Sequence, residues 1–535
     1  RKGFLDMKKL FTCIAIALCS LTAMAEDYTA CPLTVTVNGA AMENDPINVT
    51  VNKQSNGKYT MELKDFTLTE FFLPIGTIKV TDVDATNCGN TTVLSTEQTI
   101  TIAAGSTGKP EEWTGPELGP LPILLKGEIK NGEFNAILNI PLSADMLVGV
   151  QLGKSANNLG QLPNSGFETF HTATYDSHTS EEPNGWHTFM SASGKLASQV
   201  ATITHTWASN EVRENAETEN RQCVKVASAP VKIKLGIIEK IVASANGTIT
   251  TGRLQAGSLT ASDKANCAFL DFSLTDKDGN GDPYYAVLNN KPDAIKAWVK
   301  FKAGDDNNNP TAPNSALLSN GKKIQDPEDS KLEANIIARA INTNIASTNA
   351  WQQIEIPFNY ANTTTTPLGA LVTISTCSVP SGGRQSETNA DITYADDIKM
   401  VYTAEVKSIT VKGVEATTAN GTAYEANISG TISPEDINVQ TNAQGAYVSK
   451  ILNNSKNGGV DVAITVTSND LKKANMYNLH IEGATTGINK PQTVTTQSGV
   501  KAVYNLSGQQ VSGMSKAGVY IVERNDGTTV KVLKK

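Results

Sequence analysis

Short segments that alternate apolar and polar residues follow one another along almost the whole chain, with turn residues between them. Leu33–Val37 and residues 59–63 alternate in this way, and Asn56-Gly57 and Asn131-Gly132 are dipeptides typical of hairpin turns. A period of two buries one face of a strand, and it does not fit a helix. The sequence therefore predicts an all-β fold, and 535 residues are enough for several domains.

The charge balance limits the classes of partner. The chain carries 45 basic and 53 acidic residues, which gives a formal charge of −8, and 39% of its residues are hydrophobic. Nucleic acids and anionic membranes are bound through basic surfaces, so neither is expected as the main partner. No segment after the first 25 residues is long and apolar enough to predict a transmembrane helix. The composition predicts globular domains whose partner is neither nucleic acid nor lipid.

The N-terminus carries the three parts of a secretory signal peptide. Lys8 and Lys9 precede an apolar run over residues 10–18, and Ala23-Met24-Ala25 supplies the cleavage site. A lipid-modified Cys19 is disfavoured because Leu18 stands where a small residue is expected. We therefore predict that residues 7–25 are removed and that the protein is exported to the periplasm, the cell surface or the extracellular space.

Five cysteines remain after such cleavage, and their spacing matches no metal-binding pattern. Export permits a disulfide between Cys31 and Cys88, which fall in the same predicted domain. Buried free thiols are the alternative, because a domain of this size needs no covalent link. The sequence leaves both interpretations open. The five are Cys31, Cys88, Cys223, Cys267 and Cys377.

Residues 26–154 form a series of hairpins, which predicts an up-and-down barrel or meander. The stretches LTVTVNG, VNKQSNGKYTMELKDFTL, LSTEQTITI and LKGEIKNGEFNAILNI resemble the calycin-like domains of exported Bacteroidetes proteins. The resemblance implies a calycin-like β-barrel that encloses a small apolar ligand. A barrel filled by its own side chains is the alternative, and it is the common state of small closed sheets.

Residues 155–404 combine strands with long Asn- and Gly-rich loops, which favours a two-sheet jelly-roll sandwich. NSGFE, PNGW, AVLNNKPDAIKAWVKFKAG and YADDIKMVY resemble the carbohydrate metabolism domain of Bacteroidetes surface proteins. The two ends also resemble those of jelly-roll carbohydrate-binding modules. The resemblance implies a glycan partner, neighbouring ends, and a structural calcium ion held by Glu168 and Asp397.

Two smaller segments complete the chain. Residues 405–484 contain short, turn-separated strands and predict a small immunoglobulin-like β-sandwich. Residues 485–535 begin as a Thr- and Gln-rich linker and end in three short apolar runs. This last part resembles the C-terminal sorting domain of the type IX (Por) route, which implies outer-membrane secretion machinery as a partner. A small β domain without a sorting role is the alternative.

Motifs for catalysis are incomplete in this sequence. Residues 103–109 resemble a phosphate loop without its first glycine, and Pro110 replaces the hydroxyl residue that should follow. Asp276 and Asp278 begin a calcium-loop pattern that ends in Val287 instead of Glu, so a β-turn is expected there. A glycoside hydrolase needs two acids on either side of one bond. Asp176 and Glu182 are the candidates for that alternative function.

One segment concentrates residues suited to sugar binding. Four of the five histidines and two of the five tryptophans fall within residues 171–207. Aromatic rings pack on the C–H faces of sugars, and polar side chains bind their hydroxyls. The predicted carbohydrate-binding residues are Trp186, His187, His178 and Glu182, with a core position as the alternative for Trp186. We expect a non-catalytic, exported protein that binds or handles glycans, with a glycoside hydrolase or a structural spacer as alternatives.

Overall fold

A computed structural model provides the structure of the protein. Strands make up most of it and helices are short, so the predicted multi-domain all-β fold is confirmed. In the described part of the chain, no helix has both the length and the apolar composition that are needed to span a membrane. The predicted signal peptide lies outside the described residues except for Ala25. The structure describes residues 25–42, 44–69, 73–143, 146–203, 205–211, 213, 221–235, 237–273, 280–305, 307–383, 388–418, 420–455, 458–486, 500–505, 510–511, 518–524 and 529–534.

The first ten strands form one antiparallel sheet, which we call the N-terminal barrel. The first extended segment is interrupted at Pro32. Ala25–Cys31 forms one edge of the sheet, whereas Leu33–Val37 lies near the other edge. This division of one segment between two edges curls the sheet around a single core. The strands are Ala25–Cys31 (β1), Leu33–Val37 (β2), Ala40–Met42 (β3), Ile47–Lys53 (β4), Tyr59–Leu68 (β5), Leu73–Cys88 (β6), Thr91–Thr101 (β7), Pro120–Lys130 (β8), Glu133–Ser143 (β9) and Met146–Leu152 (β10).

Large aliphatic side chains pack together inside the barrel. Leu63, Ile123, Leu138 and Leu152 are fully buried and belong to one apolar cluster. Alternation along each strand directs these residues inward, as the period of two requires. The core packing favours a barrel filled by its own side chains over a ligand cup.

Two sheets face each other in the middle of the chain, and we call this region the central sandwich. One sheet has the order β13-β14-β28-β21-β25, and the other has the order β17-β27-β22-β24-β26 with β20 also paired to β27. The strands are Phe170–Tyr175 (β11), His178–Pro183 (β12), Thr206–Ser209 (β13), Cys223–Ala227 (β14), Ala229–Leu235 (β15), Ile238–Ala245 (β16), Thr248–Thr250 (β17), Arg253–Ala256 (β18), Asn266–Phe269 (β19), Ala286–Val287 (β20), Ala294–Lys302 (β21), Thr311–Ser319 (β22), Gln325–Asp326 (β23), Ile336–Ala346 (β24), Gln352–Pro357 (β25), Asn359–Tyr360 (β26), Gly369–Ser375 (β27) and Ile392–Val401 (β28).

The core of the central sandwich lies between these two sheets. Phe167, Trp186, Ile249, Leu288 and Phe301 are fully buried members of its main cluster. Smaller sheets, β11-β12, β15-β16 and β18-β19-β23, attach around it. The helical elements of the described residues include the α-helix Ala197–Val200 (α1) and the 3₁₀ segments Pro110–Glu112, Gly115–Leu118, Ala156–Asn158, Phe189–Ser191, Ser330–Asn335 and Pro434–Asp436.

The two ends of the central sandwich meet. The amide of Ile398 donates a hydrogen bond of 2.9 Å to the carbonyl oxygen of Ser165. The Gln161 side chain donates to the Met400 carbonyl at 2.9 Å and accepts from the Met400 amide at 2.9 Å. These bonds confirm the expectation that the ends of this region are neighbours.

The remaining strands form a second sandwich and a C-terminal sheet. We call this second sandwich the third sandwich, because it is the third folded region along the chain after the barrel and the central sandwich. The third sandwich has the sheets β30-β29-β33 and β31-β32-β36-β35-β34, and the C-terminal sheet has the order β38-β37-β39-β40. Much of the predicted linker in residues 485–498 lies outside the described residues. The strands are Val406–Val411 (β29), Val414–Glu415 (β30), Thr417–Thr418 (β31), Ala423–Ile432 (β32), Ile437–Thr441 (β33), Tyr447–Asn454 (β34), Val460–Thr467 (β35), Ala474–Thr486 (β36), Val500–Asn505 (β37), Gln510–Val511 (β38), Gly518–Arg524 (β39) and Thr529–Lys534 (β40).

A buried lysine joins the barrel to the two sandwiches. The Nζ of Lys126, in the barrel, donates to the carbonyl of Asn289 at 2.9 Å and to Oδ1 of Asn469 at 2.8 Å. The same Oδ1 accepts the Lys291 amide at 2.8 Å, and the Asn469 amide group donates to the Gly445 carbonyl at 2.6 Å. Burial lowers the pKa of Lys126 to about 7. We call this arrangement the Lys126 junction.

The five cysteines of the described chain are free and buried. Cys31 belongs to the barrel core, whereas Cys88 packs against the central sandwich and its Sγ lies 3.1 Å from the Leu368 carbonyl. Burial raises the pKa of the Cys88 thiol to about 12. The structure therefore contains buried thiols in place of a Cys31–Cys88 disulfide.

Candidate functional site

An open cleft of about 450 Å³ lies on the outer face of one sheet of the central sandwich. Its floor comes from β17, β22, β24 and β27, and its walls come from α1, β16, β18 and β19. The volume is within the range of clefts that bind small molecules or short oligomers. We refer to this feature as the cleft.

Alternation along the strands explains why the floor carries hydroxyl groups. In β27, Ala370, Val372 and Ile374 point into the core, so Thr373 and Ser375 point to the cleft. Pairing then aligns hydroxyl residues from neighbouring strands, since Ser315 lies opposite Thr373, and Thr248 lies opposite Ser375. The Oγ1 of Thr248 and the Oγ of Ser375 are 3.2 Å apart. The floor is a polar but uncharged surface that spans three strands.

Among the described residues that line the cleft, Asp326 is the single carboxylate. Lysine, arginine and histidine are absent from these residues. The Oδ2 of Asp326 accepts a hydrogen bond from the Ser315 hydroxyl. Burial raises the pKa of Asp326, whereas the hydrogen bonds from Ser315 and Thr373 act in the opposite direction. The cleft therefore offers hydrogen bonds without a strong net charge.

The walls and mouth of the cleft are aliphatic. Leu196, Val200 and Leu254 line the walls. Leu259 and Ile341 line the mouth, where their side chains are 66% and 46% exposed. Exposed aliphatic residues around a concave polar floor are typical of a ligand-binding surface. The cleft can accept an uncharged ligand that carries both hydroxyl and apolar groups.

Trp186 is not in this cleft, and the structure corrects its predicted role. Its side chain is 0% exposed and packs on Phe167 with ring centroids 5.1 Å apart. Its Nε1 donates to the Pro163 carbonyl at 3.0 Å. A ring that is covered on both faces cannot stack on a sugar, so Trp186 is a core residue here. Sequence reasoning left this alternative open, and the turn before Trp186 directs the ring inward.

The other predicted sugar-binding residues do not form one surface with Trp186. Glu182 is fully buried and accepts the Thr188 amide at 2.9 Å, and His187 is fully buried with Nε2 3.0 Å from the Pro283 carbonyl. His178 is half-buried and pairs with Tyr175 at the end of the β11–β12 hairpin. Buried polar groups need such partners, which accounts for Glu182 and His187 without a ligand.

Asp176 and Glu182 are not placed as the two acids of a hydrolase. Asp176 is exposed in the turn beyond the Tyr175–His178 pair, whereas Glu182 pairs with His171 at the other end of the hairpin. His178 and Glu182 are four residues apart, which is roughly 13 Å at about 3.3 Å per residue. Glycosidase acids lie about 5–9.5 Å apart across a shared bond. The hairpin therefore separates these two acids.

The partners of Glu168 and Asp397 do not fit the predicted calcium ion. The guanidinium of Arg213 pairs with Oδ2 of Asp397, and both side chains are buried. The Glu168 carboxylate accepts the Gln222 amide at 3.2 Å. A protein cation already neutralises the carboxylate that calcium would need. Among the described residues, no group of three or more His, Cys, Asp or Glu side chains is arranged to hold a metal ion.

Asp396 lies beside this pair and is fully buried. Burial, followed by the neighbouring charge of Asp397, raises the pKa of Asp396 to about 7. The charge of Glu168 acts in the same direction, and that of Arg213 opposes it. Asp276 and Asp278, the first residues of the predicted β-turn, lie outside the described residues.

Sequence reasoning missed the cleft because its residues are of common types and come from distant segments. Thr248, Ser315 and Ser375 are more than 120 positions apart at the extremes, and only the sheet brings them together. A weak signal was present in β27, where GALVTIS places hydroxyl residues on the face opposite Ala370 and Val372. The same alternation would fit any solvent-exposed sheet face, so it could not identify a site.

Comparison with known proteins adds one firm assignment. A family model described as the calycin-like β-barrel domain matches residues 25–151. No match is found among the curated proteins. The family match agrees with the calycin-like resemblance of the N-terminal barrel and covers that region only.

Matches to solved structures have low scores. A proposed glycoside hydrolase from Bacteroides vulgatus is 15% identical, covering 45% of this chain and 98% of its own, with a TM-score of 0.31. A proposed glycoside hydrolase from Bacteroides thetaiotaomicron is 11% identical, covering 72% and 99%, also with a TM-score of 0.31. A structure of infectious bursal disease virus, Gx strain, is 11% identical, covering 71% of each chain, with a TM-score of 0.14. Because these scores are low, no argument about function is drawn from them. The assignment established by comparison is a calycin-like β-barrel domain at residues 25–151.

Proposed function

We propose that this protein is an exported, non-catalytic glycan-binding accessory protein and that the cleft is its binding site. The observation that carries the proposal is the lining of the cleft, in which a hydroxyl floor meets aliphatic walls and the described residues include one carboxylate, Asp326, and no basic side chain. Neutral sugars present hydroxyls and C–H groups together, so they need a surface of this mixed kind.

The floor supplies the polar half of such recognition. The hydroxyls of Thr373 and Ser315 donate to Asp326 and can accept a hydrogen bond from a ligand, and the Thr248 hydroxyl can accept one as well. They lie on three neighbouring strands, about 4.8 Å apart from strand to strand. A polyhydroxy ligand that lies across the strands would meet a hydroxyl at each step.

The lining supports binding in preference to hydrolysis. Glycoside hydrolysis canonically requires an acid and a second carboxylate on opposite sides of the scissile bond. The described residues of the cleft lining include Asp326 and no second carboxylate. We therefore propose that the protein binds glycans without cleaving them, with hydrolysis as the second candidate. The pattern that would favour hydrolysis is release of shortened products.

Export belongs to the same proposal. The signal peptide over residues 7–25 would direct the chain out of the cytoplasm. The C-terminal sheet within residues 485–535 would contact outer-membrane secretion machinery. The mature N-terminus is then expected at Glu26, and mass spectrometry of the exported protein checks it.

A blocking substitution in the cleft tests the proposal. Thr343 lines the cleft and is exposed, so Thr343→Trp should fill the cleft without disturbing the core. Asn344→Trp is the matched control, since Asn344 is exposed on the same strand but is not part of the lining. We expect a glycan array to show binding for the wild type and for Asn344→Trp, with at least tenfold weaker binding for Thr343→Trp.

Three results distinguish the candidate functions. Binding without shortened products supports the proposed function, and product release detected by chromatography supports a glycoside hydrolase. No binding on a broad array would leave a structural spacer as the function. Equal loss in both tryptophan variants would place the binding site outside the cleft.

A further inference from the structure

We infer that the cleft selects uncharged glycans whose sugars carry methyl-bearing substituents, N-acetyl or 6-deoxy groups, over plain hexose polymers. This inference rests on the proposed function of the cleft and specifies its ligand. The shared chemistry is a methyl group on a neutral sugar. Three features of the lining support this selectivity, namely its small residues, its shortage of aromatic rings and its charge.

The walls combine small and branched aliphatic side chains. Ala245, Ala256 and Ala268 line one side, and the short side chains of the buried Ala256 and Ala268 form an aliphatic wall there. Leu259 and Ile341 stand at the mouth with much of their apolar surface in water. A methyl group that packs against these aliphatic residues leaves water and contacts carbon. Each buried methyl group is expected to tighten binding by roughly fourfold.

Stacking of an unmodified hexose has little support in this cleft. Flat C–H faces of hexoses are bound by exposed aromatic rings. Phe189 is the aromatic residue of the described lining, and it is half-buried. Its ring packs on the buried His205 ring, with centroids 5.0 Å apart. The apolar recognition in the cleft must therefore come mainly from aliphatic groups, which suit methyl substituents.

The charge of the lining excludes acidic and sulfated sugars as preferred ligands. A carboxylate or sulfate taken out of water needs a cationic partner. Lysine, arginine and histidine are absent from the described lining, so an anion would find no cationic partner there. Asp326 is engaged by the Ser315 hydroxyl, so it is not presented as a free partner for a protonated amino sugar. An acetylated amine fits this surface better than a free one.

Matched pairs of ligands test the inference with the full exported protein. Chitin oligosaccharides and cello-oligosaccharides share their linkage and differ by the N-acetyl group, and a D-rhamnose polymer can be compared with a D-mannan of the same linkage for the deoxy group. We expect at least fourfold tighter binding, by isothermal titration calorimetry, for one or both methyl-bearing members. The ligand pair that shows the preference identifies which substituent, N-acetyl or 6-deoxy, is recognised.

A pair of variants ties the preference to the cleft. Leu259→Ser removes an aliphatic residue from the mouth, and Val414→Ser removes an exposed aliphatic residue from the third sandwich as a control. Leu259→Ser should reduce the preference, measured as the ratio of the affinities for the methyl-bearing and the plain ligand, at least twofold. Val414→Ser should leave both affinities as they are.

The outcomes separate failure of the inference from failure of the proposed function. Equal or tighter binding of the plain hexose polymers would overturn the inference and leave glycan binding intact. Binding only of uronic or sulfated glycans would also overturn it. Absence of binding to every glycan would overturn the inference together with the proposed function. An unchanged preference in Leu259→Ser would place the recognition of methyl groups elsewhere.

Discussion

The Trp186 segment and the cleft belong to the same central sandwich and differ in how their residues are assembled. The Trp186 segment gathers rare residue types over a short stretch of sequence, and the structure buries Trp186, Glu182 and His187 completely. The cleft gathers common residue types from distant strands and stays open to solvent. A concentration of unusual residues marked a sealed part of the core, while the accessible surface had no such signature.

The reason lies in what burial demands of polar groups. A buried carboxylate or imidazole must find hydrogen-bond partners, and local chain segments provide them most directly. Glu182 is bonded by Thr188, six residues away, and Trp186 by Pro163. In an open cleft, water satisfies the hydroxyls until a ligand arrives. A local motif is therefore not needed to build it.

The largest expected effect is at Trp186. Trp186→Ala should lower the free energy of unfolding by about 3–5 kcal/mol, because it leaves a cavity in the core. Urea unfolding followed by circular dichroism measures this loss. Trp207→Ala is the control, because Trp207 is only partly buried and should cost less. A stable Trp186→Ala protein that had lost glycan binding would restore the stacking role and break the comparison.

The Arg213–Asp397 pair provides a second buried polar group. Arg213→Met should destabilise the protein by about 3 kcal/mol, because it leaves the Asp397 carboxylate buried without its cation. Arg339→Met is the control, since the Arg339–Glu328 pair is partly exposed and should contribute less than about 1 kcal/mol. Equal losses of stability in the two variants would show that the contribution of these ion pairs does not depend on their burial.

The Lys126 junction gives a smaller effect that depends on pH. Its folded pKa, about 7, lies below the unfolded value near 10.4. The unfolded chain therefore binds more protons between these values, and stability should rise with pH in this window. Below pH 7 the folded lysine is charged and the cost of its burial is greatest.

Unfolding of the wild type and of Lys126→Met at pH 7 and pH 9 measures this contribution. We expect the wild type to gain about 1–2 kcal/mol relative to Lys126→Met over this interval. The variant also serves as the control for all other groups that titrate there. Parallel behaviour of the two proteins would mean that Lys126 is hydrated and charged throughout.

The smallest expected effect is that of chelation. EDTA should change the melting temperature of the wild type by less than about 1 °C. A shift of this size is typical of surface substitutions that leave stability nearly unchanged. The physical reason is that Arg213 neutralises Asp397. Differential scanning calorimetry with added calcium completes the test. A clear upward shift with calcium would support the ion predicted at Glu168 and Asp397.

Local features of the fold could be predicted from the sequence, whereas long-range pairings could not. Asn131-Gly132 was expected to form a hairpin turn, and both residues have positive φ, at 52° and 78°. The NSGFE and YADDIKMVY segments indicated that the two ends of the central sandwich would be neighbours, and the hydrogen bond from Ile398 to Ser165 joins these ends. Arg213 could not be matched to Asp397, because 184 residues separate them. The cleft depends in the same way on the order of strands in the sheet.

The Lys126 junction also has a mechanical consequence. Asn469 is bonded to Lys126 of the barrel, to Lys291 of the central sandwich and to Gly445 of its own sandwich. Rotation of any one of these regions against another would break several buried hydrogen bonds at once. The three regions should therefore tumble in solution as one rigid body and not as independently moving domains. A load applied to the third sandwich would then be transmitted directly to the body that contains the cleft.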